Sequence, residues 1–146
     1  MTNQSNDAAS SLADLVRRGQ IEEALNRYPE QEPEIRMLQQ IANLPPHYVR
    51  SLLEKTVQAN AKHQEALRLS RAGMLREAEV AFDQTLQLVP EFVAAYMNRA
   101  ILYAKTGRDS KAIADLQTAV RLAPRSERAK GMLAQAQAGG SNRFKI

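Results

Sequence analysis

The chain has 146 residues, no cysteine, 44% hydrophobic residues and a formal net charge of +4. Its length allows one compact domain with a core, and the many Ala, Leu, Gln, Arg and Glu residues favour helix over strand. The lack of cysteine excludes disulfides, a thiolate nucleophile and a cysteine metal site, and two histidines are too few to build a metal centre alone. No stretch reaches the roughly 18 apolar residues of a membrane helix. The N-terminal residues lack the features of a secretory signal, so we expect a soluble cytoplasmic protein.

The first predicted elements are short helices. Residues 1–6 are polar and are expected to be disordered. Residues 7–16 have apolar side chains at helical spacing, Gly19 breaks the pattern, and residues 21–28 resume it before Pro29. Helix, glycine and helix together predict an αα-hairpin.

A long helix follows a linker and a third short helix. Residues 29–33 contain two prolines and are predicted as a turn. From Pro46 to about residue 72 nothing interrupts helix, which gives a rod about 39 Å long. We expect the first half of this helix to pack on the N-terminal helices, and its second half to begin a set of repeats.

The second half of the chain repeats itself every 34 residues. Residues that recur at this distance are Ala66 and Ala100, Gly73 and Gly107, Ala78 and Ala112, and Pro90 and Pro124. Apolar spacing predicts helices over residues 75–89, 91–105, 109–122 and 126–138. A fixed period of this length indicates an array in which each unit buries its apolar face against the next.

The repeated unit resembles the tetratricopeptide repeat, whose signature is W-x₂-L-G-x₂-Y, then A-x₃-F, then P. The second unit reads Tyr96-x₂-Arg99-Ala100-x₂-Tyr103, Ala112-x₃-Leu116 and Pro124, and the first reads Lys62-x₂-Glu65-Ala66-x₂-Leu69, Ala78-x₃-Phe82 and Pro90. The resemblance implies an all-α fold, namely an αα-hairpin superhelix with extra N-terminal helices and a C-terminal capping helix. The expected division is a disordered N-terminus (1–6), N-terminal helices that include a degenerate hairpin (7–58), two units (59–126), a capping helix (127–138) and a flexible tail (139–146).

In this family the first helix of each unit lines a concave face that binds an extended peptide or a partner helix. Transferred by register, the partner-binding positions are His63, Leu67, Ser70, Met97, Asn98, Ile101, Lys105, Arg128 and Met132. His63 is expected to be a partly exposed polar residue, and Met97 belongs either to the groove or to the core. Of the five positions of the family's carboxylate clamp, only Asn98 and Arg128 match in kind, so a chaperone-type clamp is not expected.

The resemblance therefore implies a non-catalytic adaptor or scaffold that binds a partner peptide or amphipathic helix, with no cofactor, no metal and no membrane insertion. The sequence holds no phosphate-binding glycine motif and no nucleophile elbow, which argues against an enzyme. One alternative is a small secretion or assembly chaperone that shields a hydrophobic client segment. Another is a nucleic-acid or anionic-surface binder that uses the basic C-terminal part. Homodimerisation through the N-terminal helices is a further alternative.

Overall fold

Helices make up most of the described chain. The computed structural model describes residues 12–41 and 44–139, and within these ranges it contains helices and no strand. The helices are α1 (Leu12–Arg17), α2 (Ile21–Arg27), a 3-10 turn (Pro29–Gln31), α3 (Glu32–Ile41), α4 (Pro46–Arg71), α5 (Leu75–Leu88), α6 (Val93–Lys105), α7 (Asp109–Leu122) and α8 (Glu127–Gln137). The predicted all-α fold is confirmed. The expectations of disorder over residues 1–6 and of a flexible tail beyond residue 139 lie outside the described residues.

The first three helices form a small cluster with an apolar centre of its own. The buried side chains at this centre are Leu15, Ala24, Leu25 and Ile35, and Leu12, Val16, Ile21 and Tyr28 pack around them. Gly19 joins α1 to α2 with a φ of +73°, which glycine adopts without the steric cost that other residues pay. We call α1, α2, the 3-10 turn and α3 the N-terminal cluster, because this centre is separate from the larger core of the repeats.

The remaining helices form two hairpins and a closing helix. Helix α4 packs along α5, α6 packs along α7, and α8 packs on α7. Small residues lie where the helices cross, and each is at most 1% exposed: Ala66, Ala78, Ala100 and Ala112. Large side chains such as Phe82, Leu102 and Leu116 fill the space between the helices. The repeats therefore stack through one continuous apolar core, as the 34-residue period predicts.

Ion pairs cross from the first hairpin to the second. The guanidinium of Arg99 on α6 donates to both carboxylate oxygens of Asp115 on α7 at 2.8 and 2.7 Å, and to Asp83 on α5 at 2.7 Å. Hydrogen bonds from Arg99 to Asp115 raise the pKa of the guanidinium further above its usual range. Arg108 makes a second bridge, donating two bonds to Glu79 of α5 at 3.0 and 2.9 Å. Both arginines thus fix the position of α5 relative to the second hairpin.

The N-terminal cluster reaches the second hairpin and the turn before α8. Its 3-10 turn contacts α6. Arg125 donates to Glu22 at 3.1 Å and to Asn26 at 3.2 Å. The hydroxyl of Ser126 donates to Glu30 at 3.1 Å. These polar contacts join residues that are about a hundred positions apart in sequence and hold α2 and the 3-10 turn against the turn before α8.

The expectation that the first half of α4 packs on the N-terminal helices is wrong for three of its large apolar residues. Tyr48, Leu53 and Val57 are 58%, 46% and 67% exposed. Helix α5 ends at Leu88, so it runs along only the second half of α4. The N-terminal cluster is bonded to the turn before α8 and does not cover these side chains. The first half of α4 therefore extends past the first hairpin with an uncovered apolar side.

Candidate functional site

The residues expected to bind a partner all lie on the first helices of the successive units. Helix α4 supplies His63, Leu67 and Ser70, helix α6 supplies Met97, Asn98, Ile101 and Lys105, and helix α8 supplies Arg128 and Met132. We call the surface formed by these positions the groove face. Helices α4 and α6 are in direct contact, so their groove-face residues are neighbours across the unit boundary.

Groove-face residues differ in how much of each side chain solvent reaches. Lys105 and Arg128 are exposed, and Leu67, Ser70, Asn98, Ile101 and Met132 are half-buried. Met97 is only 1% exposed and belongs to the core of the repeats. The apolar side chains of the groove face that a partner can reach are therefore Leu67, Ile101 and Met132.

The expectation that His63 is partly exposed is wrong, because its ring is buried and only 6% of the residue is exposed. The ring of Phe92 lies 4.8 Å from it and that of Phe82 lies 6.0 Å from it, measured between centroids. Its Nε2 atom is 3.1 Å from Nδ2 of Asn98 on the next unit. An amide nitrogen is a donor, so this bond is satisfied when Nε2 carries no proton and accepts. Burial lowers the pKa of His63 below its usual value, which agrees with a neutral ring.

A cavity of about 500 Å³ opens between the N-terminal cluster and the repeats. The 3-10 turn and α3 form one side of it, and α4 and the start of α6 form the other. Its apolar lining consists of Pro33, Met37, Leu52, Val89, Phe92, Val93 and Ala94. Asn60 and Ala94, which lie on the first helices of the two units, are part of the lining, so the cavity is continuous with the end of the groove face. A volume of this size is in the range that accepts a small molecule or a few side chains of a peptide.

The charged groups of the cavity are mainly acidic. Glu30, Glu34 and Glu91 line it, together with the single base Arg36. Arg36 donates to Glu32 at 2.6 Å. Glu34 and Glu91 have no hydrogen-bond or ion-pair partner among the described residues. Burial raises the pKa of Glu34 above its usual value, because the charged carboxylate is partly removed from water.

The described residues offer no arrangement for metal binding or membrane crossing. In residues 12–41 and 44–139, no three His, Asp or Glu side chains are grouped so that they could hold a metal ion. No helix in the same ranges is long and apolar enough to span a bilayer.

Sequence reasoning missed the cavity and the ion pairs of Arg99. The cavity depends on where the N-terminal cluster docks, and that position is set by contacts 96 and 103 residues apart in sequence, for which no local pattern gives a signal. Arg99 did carry a signal, because it stands where the repeat pattern has an apolar residue. A charge at a position of that kind requires a paired counter-charge, and Asp115 is the partner.

Comparison with protein families agrees with this geometry. Residues 69–136 match the family model of the tetratricopeptide repeat. The matched stretch takes in α5, α6 and α7 and almost all of α8. No curated protein and no solved structure matches the chain. Repeats of this family generally mediate protein–protein interactions. Together with the 34-residue period and the stacked hairpins, the match identifies residues 69–136 as tetratricopeptide repeats.

Proposed function

We propose that this protein is a non-catalytic adaptor that binds a segment of a partner protein on the groove face. The observation that carries the proposal is the row of half-buried apolar side chains across three successive first helices, which are Leu67, Ile101 and Met132. Exposed Lys105 and Arg128 lie on the same face. An apolar strip edged by polar groups is the surface that an amphipathic helix or an extended peptide recognises.

Each part of the groove face has a distinct role in this proposal. Leu67, Ile101 and the adaptable Met132 contact apolar side chains of the partner. Lys105 and Arg128 contact acidic groups or backbone carbonyls, and Ser70 supplies a hydroxyl. His63 and Met97 support the face from beneath, because His63 is bonded to Asn98 and Met97 is buried. In this division, residues 59–126 form the two units, and the capping helix at residues 127–138 adds Arg128 and Met132 to the groove face.

The test uses capture of partner proteins from native lysate, followed by mass spectrometry. The wild-type protein is compared with Leu67→Arg/Ile101→Arg, in which two charges interrupt the apolar strip. The matched control is Met74→Arg/Val80→Arg, because these two apolar residues are exposed outside the groove face. Circular dichroism and thermal unfolding confirm that all three proteins are folded. We expect the same partner with the wild type and the control and its loss with the groove variant; equal capture by all three contradicts the proposal.

A second candidate is a small secretion or assembly chaperone that shields a hydrophobic client segment. It is favoured by the extent of uncovered apolar surface, since Tyr48, Leu53 and Val57 on α4 add to the strip on the groove face. A client that stays soluble only when this protein is present, and aggregates with the groove variant, would support this role. The nucleic-acid alternative has less support, because Arg125 already donates to Glu22 and Asn26 within the chain.

Self-association through the N-terminal part of the chain is a further proposal. The apolar side chains of the N-terminal cluster are turned into its own centre, so the uncovered side of α4 at Leu53 and Val57 is the better surface for a second copy. Light scattering on size-exclusion chromatography tests it. The mass is expected to fall toward that of the monomer in Leu53→Glu/Val57→Glu and to stay unchanged in Val80→Glu. A monomeric wild type across the concentration range contradicts it.

A further inference from the structure

The first helices of the two units carry three kinds of side chain in the same order along one face. Residues four and seven positions apart share a face of an α-helix, so Asn60, Leu67 and Arg71 follow one another on one face of α4. The residues one period later repeat this order on α6, and they are Ala94, Ile101 and Lys105. Along each helix, about 16 Å separates the first position from the third. The apolar strip of the groove face therefore lies between two edges.

The first edge is the cavity, and its free charges are negative. Asn60 and Ala94 both line the cavity. Glu34 is half-buried in the cavity wall, and Glu91 lines the cavity from an exposed position. Neither carboxylate has an ion-pair partner within residues 12–41 and 44–139. The base that lines the cavity, Arg36, is already held by a carboxylate of α3 at 2.6 Å.

The second edge lies at the ends of the first helices, and its free charges are positive. Arg71 is the last residue of α4 and Lys105 is the last residue of α6, and both are exposed. In the part of the chain that the structure describes, neither has an ion-pair partner. Arg108, in the turn after α6, is paired with Glu79 and adds no free charge. Helices α4 and α6 run in the same direction, because α5 turns back between them, so both bases lie on the side away from the cavity.

A lysine or arginine side chain matches both kinds of lining in the cavity. Such a side chain has a long apolar stem and a charged end. The stem can contact Met37 and Phe92, which line the cavity, while the charged end reaches Glu34. Pairing with a cation offsets what a carboxylate loses when it is partly withdrawn from water. A cation close to the ring of Phe92 is attracted to the face of that ring as well.

We propose that the partner segment is an amphipathic helix whose apolar stripe is flanked by basic residues on one side and by acidic residues on the other. It lies across α4, α6 and α8, with its apolar stripe on Leu67, Ile101 and Met132. Its basic flank faces the cavity, and its acidic flank faces Arg71 and Lys105. A helix is about 10–12 Å wide with its side chains, so its charged flanks reach both edges. The inference rests on the proposed function of the groove face and adds the charge pattern of the partner.

The test measures the binding of three synthetic helical peptides to the full chain by fluorescence anisotropy. All three have the same leucine stripe and, by circular dichroism, the same helicity. The flanks are lysine and glutamate in the first peptide, lysine on both sides in the second and glutamate on both sides in the third. We expect the first peptide to bind about tenfold more tightly than the others, because each of its flanks meets several charges of opposite sign. High salt should reduce this preference.

Two outcomes separate this inference from the proposed function of the groove face. Equal affinity of the three peptides overturns the charge pattern. The groove face is still supported in that case if Leu67→Arg/Ile101→Arg abolishes the shared binding. Absence of binding by all three peptides overturns the helical partner proposed here, and the capture of partners from lysate then decides the function of the groove face.

Charge reversal at each edge locates the two flanks. Glu34→Lys/Glu91→Lys is expected to make the peptide with two acidic flanks the tightest binder. Arg71→Glu/Lys105→Glu is expected to do the same for the peptide with two basic flanks. The matched controls reverse exposed charges away from both edges, and they are Glu23→Lys/Glu54→Lys and Arg50→Glu/Arg121→Glu. Both controls should keep the order of affinities of the wild type, and an unchanged order in either folded edge variant overturns the proposal.

Discussion

The Nε2 atom of His63 lies 3.1 Å from the side-chain nitrogen of Asn98, and this contact joins the first helices of two successive repeats beneath the groove face. Protonation of His63 would leave two donors facing each other inside a site bounded by Phe82 and Phe92. The stacking of the two units is therefore coupled to the charge of one buried imidazole.

This contact makes stability depend on pH. Burial holds the pKa of His63 below its value in the unfolded chain, so the unfolded state binds a proton first as the pH falls. The neutral His63 therefore contributes to stability at pH values above its unfolded pKa of about 6.5. This contribution is lost as the pH falls through the unfolded pKa toward the lower pKa of the folded state. The free energy of unfolding, measured in urea, should differ less between pH 7.5 and pH 5.5 in His63→Gln than in the wild type. The control is His47→Gln, at an exposed position, and a pH difference that is unchanged in both variants contradicts the prediction.

Removal of Asp115 should destabilise the stack of repeats far more than removal of Asp83. Both carboxylates accept from Arg99, but the side chain of Asp115 is 8% exposed and that of Asp83 is 45% exposed. Asp115→Ala leaves a largely buried guanidinium without its two-bond partner, which costs about 3 kcal/mol. Asp83→Ala removes a pair that water already screens, at a cost of about 1 kcal/mol or less. Chemical denaturation measures the free energy of unfolding of both variants. Equal losses would show that the burial of Asp115 does not determine how much its pair with Arg99 contributes to stability.

The repeats were predictable because their signals are local and periodic. The long helix was expected from Pro46 to about residue 72, and it runs from Pro46 to Arg71. The alanines that recur at the 34-residue period lie in the core, since Ala66, Ala78 and Ala100 are each 0% exposed. In both cases the observed structure follows from apolar spacing that can be seen in the sequence alone.

The environment of the candidate site was less predictable because it depends on distant residues. His63 is buried by Phe92, which lies in the connection that leads into the next unit, and its burial therefore depends on how the units stack. The cavity exists because Arg125 and Ser126 hold the N-terminal cluster, and neither contact has a sequence pattern. Positions on a helix face can be assigned by register, whereas their exposure depends on which other elements cover that face.

Two glycines should respond in opposite directions to replacement by alanine. Gly107 turns α6 into α7 with a φ of +75°, which disfavours any residue that has a Cβ atom, so Gly107→Ala should cost about 1 kcal/mol. Gly131 lies inside α8 with no atom within 4 Å of an added Cβ, so Gly131→Ala should stabilise the protein by about 0.5–1 kcal/mol through helix propensity. Thermal unfolding should show a lower midpoint for the first variant and a higher one for the second. A lower midpoint for Gly131→Ala would mean that α8 does not hold this helical conformation.

Ser126 should contribute both to α8 and to the docking of the N-terminal cluster. Its hydroxyl oxygen accepts from the backbone N–H of Ala129 at 3.1 Å, which caps the helix, and its hydrogen is donated to Glu30 at 3.1 Å. Loss of the cap in Ser126→Ala should cost about 1 kcal/mol, and the bond to Glu30 adds to that. Ser110→Ala, at an exposed position in the first turn of α7, is the control and should change little.

A double-mutant cycle separates these two contributions of Ser126. The free energies of unfolding are measured for Ser126→Ala, Glu30→Ala and the double variant. If the bond holds the N-terminal cluster, the double variant loses less than the sum of the single losses, because the bond is already absent in each single variant. Additive losses would mean that the hydroxyl acts as a helix cap alone. In that case the polar anchors of the cluster would be the contacts of Arg125 with Glu22 and Asn26. Those anchors are weaker, because the side chain of Glu22 is 77% exposed and a surface ion pair contributes little.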